Sequence, residues 1–297
     1  MSLVEDRQAP AAAAEPEPYI EPPKKRTIGR KALAYLALSL MAILALVPFM
    51  WMLSTSLKTL DEVFLFPPKW IPSHLQFHNY TSLWRDFPMS TWIFNSFKVT
   101  LSVTIGVLIT SSMAAYAFAR IEFPGRNILF YMYLGALMVP GWVMLVPNFV
   151  LMRHLGWIDT HWALIIPAIG QPFGTFLLRQ FFLTIPKELE EAARVDGAGH
   201  FQIFTKVILP LAKPALATLF VFQFLAIWNE FLWPLIVLNS PDKFTVPLGL
   251  GYLNTAHSTD WTRLMAGSVI LLIPVIILFT VAQRYYVRGI ALTGLKG

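Results

Sequence analysis

Cysteine is absent from the 297 residues, and charged residues make up only 13% of them. The absence of cysteine excludes disulfide bonds and thiolate metal sites. The chain is 56% hydrophobic, and its apolar residues fall in long runs rather than in the short alternations of a soluble core. Scarce charge and long apolar runs together indicate an integral membrane protein.

The sequence motifs of several enzyme classes are also missing. No Gly-x-x-x-x-Gly-Lys-Ser/Thr string occurs, so the chain has no phosphate-binding loop of an ATPase. His-Glu-x-x-His and Gly-x-Ser-x-Gly are absent as well. His74 and His78 stand four apart, but two histidines fall short of the ligand set of a zinc site. We therefore expect no catalytic residue, no metal and no cofactor bound by this chain.

Six apolar runs are long enough to cross a bilayer, since a helical span needs about 20 residues. They predict an all-α membrane protein of six transmembrane helices, each of which satisfies its backbone hydrogen bonds internally. The spans are expected near residues 31–53, 92–118, 127–151, 162–183, 212–238 and 265–286. Residues 1–30 are predicted to be a disordered tail, rich in Pro, Ala and Glu, and residues 31–297 a single transmembrane domain.

Lysine and arginine are distributed unevenly over this topology. With the N-terminus inside, 16 of them fall on the inner side and 7 on the other. Basic residues favour the cytoplasmic side, so both termini are expected there. The net charge of +6 reflects this bias and does not indicate nucleic-acid binding, because the basic residues are scattered beside the spans.

A polar segment, residues 184–211, separates the fourth and fifth spans. It predicts two short helices. Glutamates near the start of the first helix stabilise it, because they lie at the positive end of the helix dipole. Glu190 is placed to pair with Arg194 at i, i+4. Gly197 is expected to end that helix, because glycine adopts left-handed backbone angles cheaply. The apolar residues of the second helix recur at helical spacing: Phe201, Phe204, Ile208 and Leu211.

The segment resembles the EAA loop by which permease subunits of ATP-binding-cassette (ABC) importers dock on their ATPases, and we call residues 184–211 the EAA segment. The resemblance implies that Gly197 shapes the turn, that the alanines permit close contact and that Glu191 is a polar anchor. The alternative is an amphipathic helix lying on the membrane surface. The docking residues implied are Glu191, Ala192, Ala193, Asp196, Gly197, Ala198, Leu209 and Pro210.

Two further strings, Ala114 to Arg120 and Trp228 to Pro234, are similar to those of maltose-type carbohydrate permeases. The resemblance implies one half of a pore in the cytoplasmic (inner) membrane of a bacterium. It implies as partners a second homologous permease, two ATPase subunits that hold ATP and magnesium, an extracytoplasmic solute-binding protein and a sugar. No nucleic acid is implied. Which sugar is carried stays open, and glycerol phosphates belong to the same branch.

Glu230 lies inside the predicted fifth span, where an ionisable group is costly unless it has a partner or a wet cavity. With Trp228 and Asn229 it is our candidate for the substrate pathway: the indole would stack on a sugar ring and the polar pair would bind hydroxyls. The alternative is a structural carboxylate satisfied by Gln223 or by a neighbouring helix. Two other functions stay open, a proton-coupled secondary transporter that uses Glu230 and a membrane enzyme that uses Glu230 or Asp260.

Overall fold

The computed structural model describes residues 28–253 and 259–293, so the predicted tail lies outside the described residues except for positions 28–30. The chain divides into two compact units, residues 1–48 and 49–297. The described residues contain no β-strand. Their α-helices are α1 Ile28–Ser56, α2 Leu60–Val63, α3 His78–Asp86, α4 Met89–Arg120, α5 Arg126–Gly135, α6 Leu145–His154, α7 Trp162–Ile169, α8 Pro172–Leu183, α9 Glu188–Val195, α10 His200–Ile203, α11 Leu209–Leu211, α12 Lys213–Trp228, α13 Leu232–Val237, α14 Val246–Gly251 and α15 Trp261–Thr293.

Among the described residues, three helical stretches are individually long and apolar enough to cross a membrane. They are Lys31–Ser56 in α1, Met89–Arg120 in α4 and Trp261–Gln283 in α15. All three coincide with predicted spans. The second begins three residues before the predicted residue 92, because the helix continues beyond its apolar part.

The other predicted spans are interrupted. Residues 126–138 and 141–154, which cover the predicted span 127–151, are bent by 89°. The predicted span 212–238 is divided into α12 and α13, with residues 229–231 between them. At its start, residues 213–228 are bent by 77° from residues 200–211 of the EAA segment. The predicted span 162–183 is divided into α7 and α8 at Gly170 and Gln171, and no single helix covers it. Proline at each bend explains the breaks, since proline removes a backbone donor and clashes with the preceding turn.

Helix α4 lies at the centre of the second unit and packs against α7, α8, α12 and α14. Its approach to α8 is close enough to require glycine: a Cβ at Gly174 would lie 2.6 Å from Oγ of Ser111. The buried side chains form two clusters at the two ends of α4. Trp92 and Val103 belong to the first, whereas Tyr116 belongs to the second, which also contains apolar side chains of the EAA segment.

The first turns of α4 hold the segment before α14 by side-chain hydrogen bonds. Nδ2 of Asn95 donates to the carbonyls of Asp242 and Phe244 at 2.8 and 3.0 Å, and the backbone N–H of Val246 donates to Oγ of Ser96 at 2.8 Å. These bonds satisfy the backbone groups of an irregular segment that is partly buried. They explain why polar residues open an otherwise apolar helix.

Asp159 fixes the same segment to the loop before α7. Its carboxylate accepts hydrogen bonds from the backbone N–H groups of Asn239 and Ser240, from Oγ of Ser240 and from Nζ of Lys243, at 2.6–2.9 Å. Burial raises the pKa of this carboxyl, but the hydrogen bonds outweigh burial and hold the pKa of Asp159 well below its usual range. Its charged form therefore stabilises the fold.

Asp159→Asn is expected to lower the thermal unfolding temperature at neutral pH, because the amide loses the ion pair with Lys243. The folded-state pKa is depressed, so the contribution is complete above the unfolded value near 4 and is lost as the pH falls below it. The difference between wild type and variant should therefore shrink from about pH 5 to about pH 3. Asparagine tolerates the positive φ of 59° at this position. Asp242→Asn, at an exposed carboxylate nearby, is the control. A difference in unfolding temperature between wild type and Asp159→Asn that does not change with pH would contradict the stabilising role of the charged carboxylate.

Candidate functional site

The EAA segment folds into two short helices joined by a glycine turn, as predicted. Helix α9 is Glu188–Val195 and α10 begins at His200. Between them Gly197 has a φ of +83°, which a residue with a Cβ adopts only at a cost. The predicted end of the first helix at Gly197 is confirmed.

The predicted pairing of Glu190 with Arg194 is wrong. Oε1 of Glu190 instead lies 2.8 Å from Nε of Arg120, the last residue of α4, and the two side chains are 6% and 3% exposed. Glu190 is on the face of α9 that packs against the rest of the molecule, whereas Arg194 is exposed. The contact is an ion pair without the alignment of a hydrogen bond. Burial of both charges makes the loss of either partner costly.

Arg120 also closes the end of α8. One of its terminal nitrogens donates to the carbonyls of Phe182 and Ile185, at 2.6 and 2.5 Å. The guanidinium group thus joins the end of α4, the end of α8 and the start of α9. The guanidinium suits this role because its N–H donors have a fixed geometry and can reach several acceptors at once. It also stays charged, since arginine is not deprotonated in a protein. Sequence reasoning used Arg120 only as part of the Ala114 to Arg120 string and missed this role.

The second half of the EAA segment has its own connection to α4. Oη of Tyr116 lies 3.5 Å from Nδ1 of His200, and the rings of Tyr116 and Phe204 are 5.2 Å apart. Both halves of the segment are therefore attached to the last turns of one long helix. The segment and α4 form one packed unit.

The predicted apolar stripe of the second helix is wrong in part. Phe204 and Ile208 are buried, but Phe201 is 74% exposed and Leu211 46%. Residues Phe204–Ile208 form a π-helical turn, which has more residues per turn than an α-helix and rotates the residues after it. The rotation explains the exposure of Leu211 but not that of Phe201, which precedes the turn. The buried stripe runs through Ile203, Phe204, Ile208 and Ala212.

The side of the EAA segment away from α4 is exposed. Val195 is 88% exposed and Phe201 74%, although both are apolar and lie on either side of the Gly197 turn. Sequence reasoning did not single out Val195. Of the predicted docking residues, Glu191, Ala192, Asp196, Gly197 and Pro210 are exposed, whereas Ala193, Ala198 and Leu209 are half-buried.

Glu230 lies at a break in the fifth apolar run, between the end of α12 at Trp228 and the start of α13 at Leu232. Its Oε1 accepts a hydrogen bond of 3.1 Å from the backbone N–H of Trp233. Two cavities of about 310 and 180 Å³ share Glu230 and Trp233 in their walls. The larger is also lined by Trp142 and Asn148, and the smaller by Thr100, Gln171 and Thr245.

The other two candidates for the substrate pathway are placed differently. Trp228 is 2% exposed, and its Nε1 donates to the carbonyl of Leu271 at 3.0 Å. The indole stacks on Phe224 with ring centres 5.5 Å apart, so it cannot stack on a sugar in this conformation. Asn229 follows the last residue of α12, and its Nδ2 donates to the carbonyl of Leu225 in the last turn of that helix.

Residues that sequence reasoning missed line the two cavities. Trp233 follows Glu230 in the string already singled out, but the string does not indicate which indole faces the cavity. Thr245 is buried, and its Oγ1 has no hydrogen-bond partner among the described residues. Buried polar groups are usually hydrogen-bonded, so this unpaired hydroxyl in the wall of the smaller cavity is exceptional. Gln223 likewise has an unpaired Nε2, so it is not the partner that the structural alternative gave Glu230. The hydrogen bond from the first turn of α13 leaves the other form of that alternative, a neighbouring helix, open.

Comparison with known families gives one match that covers most of the described chain. Residues 103–292 match the family of binding-protein-dependent transport system inner membrane components. The matched range includes the end of α4, the EAA segment and Glu230. It covers more than half of the 297 residues.

Individual proteins of similar sequence are transport permeases. An arabinooligosaccharides transport system permease protein of Halalkalibacterium halodurans is 41% identical over 76% of this chain and 81% of its own length. An sn-glycerol-3-phosphate transport system permease protein of Yersinia enterocolitica is 34% identical over 77% of this chain and 84% of its own. Among solved structures, a bacterial ABC transporter that imports the acidic polysaccharide alginate superposes with a TM-score of 0.77. The matched chain of that structure is 28% identical in sequence, and the superposition covers 89% of this chain and 99% of the matched chain.

Proposed function

Because the chain belongs to the family of binding-protein-dependent transport system inner membrane components, we propose that its EAA segment docks on a separate ATPase. The chain is a membrane-embedded permease subunit of an ABC sugar importer, and it is not an enzyme. The rest of the assembly comprises a second homologous permease, two ATPase subunits that bind ATP and magnesium, and an extracytoplasmic solute-binding protein. Both termini face the cytoplasm.

The two-sided character of the EAA segment is the observation that supports docking. One side is fixed to α4 through the Arg120–Glu190 ion pair and the Tyr116–His200 contact. The other exposes Val195 and Phe201. Exposed apolar side chains beside polar ones are typical of protein interfaces. A helix resting on a membrane surface would not need a buried ion pair to the end of a spanning helix.

The mechanism that follows is alternating access. ATP binding brings the two ATPases together, and the EAA segment moves with them. Because the segment is packed on α4, and α4 packs on α7, α8 and α12, its displacement reaches the walls of the Glu230 cavities. Nucleotide drives the cycle only through its different affinity for the two states.

The solute path follows the cavities beside the helix break. Glu230 supplies a carboxylate acceptor, and Thr245 and Trp233 contribute a hydroxyl-bearing side chain and an aromatic ring to the wall. Polar acceptors beside aromatic rings suit polyhydroxylated solutes. The arabinooligosaccharide permease supports a neutral saccharide as the cargo. Asn229 adjoins the path, and Trp228 supports its wall by packing on Phe224.

Replacement of Glu230 separates a role in solute contact from a structural one. Glu230→Gln keeps an oxygen that can accept from the N–H of Trp233 but removes the charge, so α13 should stay in place. Loss of a hydrogen bond to a charged group costs about 1.5–3 kcal/mol, roughly a tenfold or greater rise in the KM of uptake. Basal ATP hydrolysis should not change.

Glu230→Ala removes both the charge and the acceptor. If the carboxylate is only structural, uptake is normal in Glu230→Gln and impaired in Glu230→Ala. Uptake by the wild-type chain without its ATPase, abolished by an ionophore and insensitive to vanadate, would support a proton-coupled carrier instead.

A further inference from the structure

The loop between α1 and α3, residues 57–77, has an exposed apolar surface. Phe66 is 94% exposed, Ile71 82% and Phe64 69%. Such side chains in one short loop are unusual for a surface that faces water. Further exposed apolar residues of the loop are Leu60, Leu65, Trp70, Leu75 and Phe77.

The loop folds back along the last turns of α1. Oγ of Ser54 donates to the carbonyl of Trp70, and the rings of Trp51 and Trp70 meet edge to face at 5.1 Å. Nζ of Lys58 donates to the carbonyl of Lys69 at 2.5 Å and lies 4.0 Å above the ring of Trp51. The chain therefore turns towards the spanning helix instead of extending away from its end.

Further hydrogen bonds fix the loop in this position. Nδ2 of Asn79 donates to the carbonyls of Ser56 and Lys58, both at 2.9 Å. The backbone N–H of Ser73 donates to Oε1 of Glu62 at 3.2 Å. A loop tied at several points keeps its apolar side chains in fixed directions.

The contacts with α1 set the level of the loop relative to the bilayer. Trp51 precedes the end of α1 by five residues, about 7.5 Å at 1.5 Å per residue. It lies at the end of a stretch long and apolar enough to cross the membrane, Lys31–Ser56. Tryptophan favours the boundary between headgroups and acyl chains, and lysine reaches from there towards the headgroups.

We propose that the 57–77 loop lies in the lipid interface at the end of the molecule opposite the EAA segment, with Phe66 and Ile71 inserted among the lipids. Lipid is the occupant because the loop folds towards the membrane. A soluble partner would approach from the aqueous side, away from α1. The loop then anchors the end of α1 and the start of α3 while the last turns of α4, which hold the EAA segment, move.

The absence of cysteine from the chain permits a direct depth measurement. Phe66→Cys and Ile71→Cys are spin-labelled one at a time in the complete importer, in lipid nanodiscs, with cysteines of the other subunits replaced. Asp61→Cys, at an exposed charged position of the same loop, is the matched control. Relaxation by oxygen, which concentrates in lipid, is compared with relaxation by a water-soluble nickel complex.

Labels at positions 66 and 71 should be several-fold more accessible to oxygen than to nickel, and the label at position 61 should show the reverse. Greater access of nickel at 66 and 71 would place them in water and overturn the proposal. Low access of both reagents would place them under a protein subunit and also overturn it. Loss of oxygen access only when the loaded binding protein is added would identify that protein as the partner instead.

Discussion

Gly197→Val is expected to abolish ATP-driven uptake while the chain still inserts into the membrane. The φ of +83° at this position is strained for any residue with a Cβ and most strained for a β-branched one. Backbone strain of this kind costs about 1–3 kcal/mol, and α10 can relieve it by changing its direction relative to α9. The exposed sides of the two helices would then no longer match one docking surface. Uptake, and the stimulation of ATP hydrolysis by loaded binding protein, should both be lost.

Gly199 provides the matched control. Its φ of −76° and ψ of 167° lie in the extended region that valine favours. No heavy atom lies within 4 Å of a Cβ added at either glycine, so the two substitutions differ mainly in backbone strain. Gly199→Val should retain most of the uptake. Equal losses in the two variants would contradict the role given to the turn.

Glu190→Gln should destabilise the chain and uncouple it from ATP hydrolysis. The substitution leaves the guanidinium of Arg120 buried without its carboxylate, and breaking a buried ion pair costs about 3–5 kcal/mol. Arg120→Met should cost more, because it also leaves the carbonyls of Phe182 and Ile185 without their donor, each worth about 1–3 kcal/mol. Thermal unfolding in detergent measures stability, and the ratio of sugar transported to ATP hydrolysed measures coupling.

Glu188→Gln, at an exposed glutamate in the same helical turn, is the control and should leave both quantities unchanged. The double variant Arg120→Met/Glu190→Gln should be less destabilised than the sum of the single variants, because neither charge is then left alone. Strict additivity would show that the two residues do not interact. Lower stability with an unchanged transport ratio would limit the pair to a structural role.

Local sequence features predict much of the EAA segment. Charge, helical spacing and Gly197 indicate two helices and the turn between them. The partner of Glu190 is not predictable in this way, because it depends on which glutamate faces α4, and Arg120 lies 70 positions away. The π-helical turn at Phe204–Ile208 has no comparable local sign, so the exposure of Leu211 after the turn is not predictable from the spacing.

The residues that line the cavities are also only partly predictable from the sequence. The cost of an intramembrane carboxylate singles out Glu230 from the sequence alone. The helix break after Trp228 determines that Trp233 faces the cavities while Trp228 is buried. Neighbouring indoles in one string cannot be distinguished until the break is located. The bend at residues 138–141, which presents Trp142 to the larger cavity, is likewise a tertiary feature.

Cross-linking of the assembled importer tests most directly whether the EAA segment meets the ATPase. Val195→Cys is compared with Glu122→Cys, an exposed position in the loop after α4, with a short cross-linker that joins the introduced thiol to amines of a neighbouring subunit. We expect a covalent adduct between the chain and the ATPase subunit from position 195, blocked uptake once it forms, and little adduct from position 122. Absence of the adduct at position 195 in an importer that still transports would contradict docking by the EAA segment.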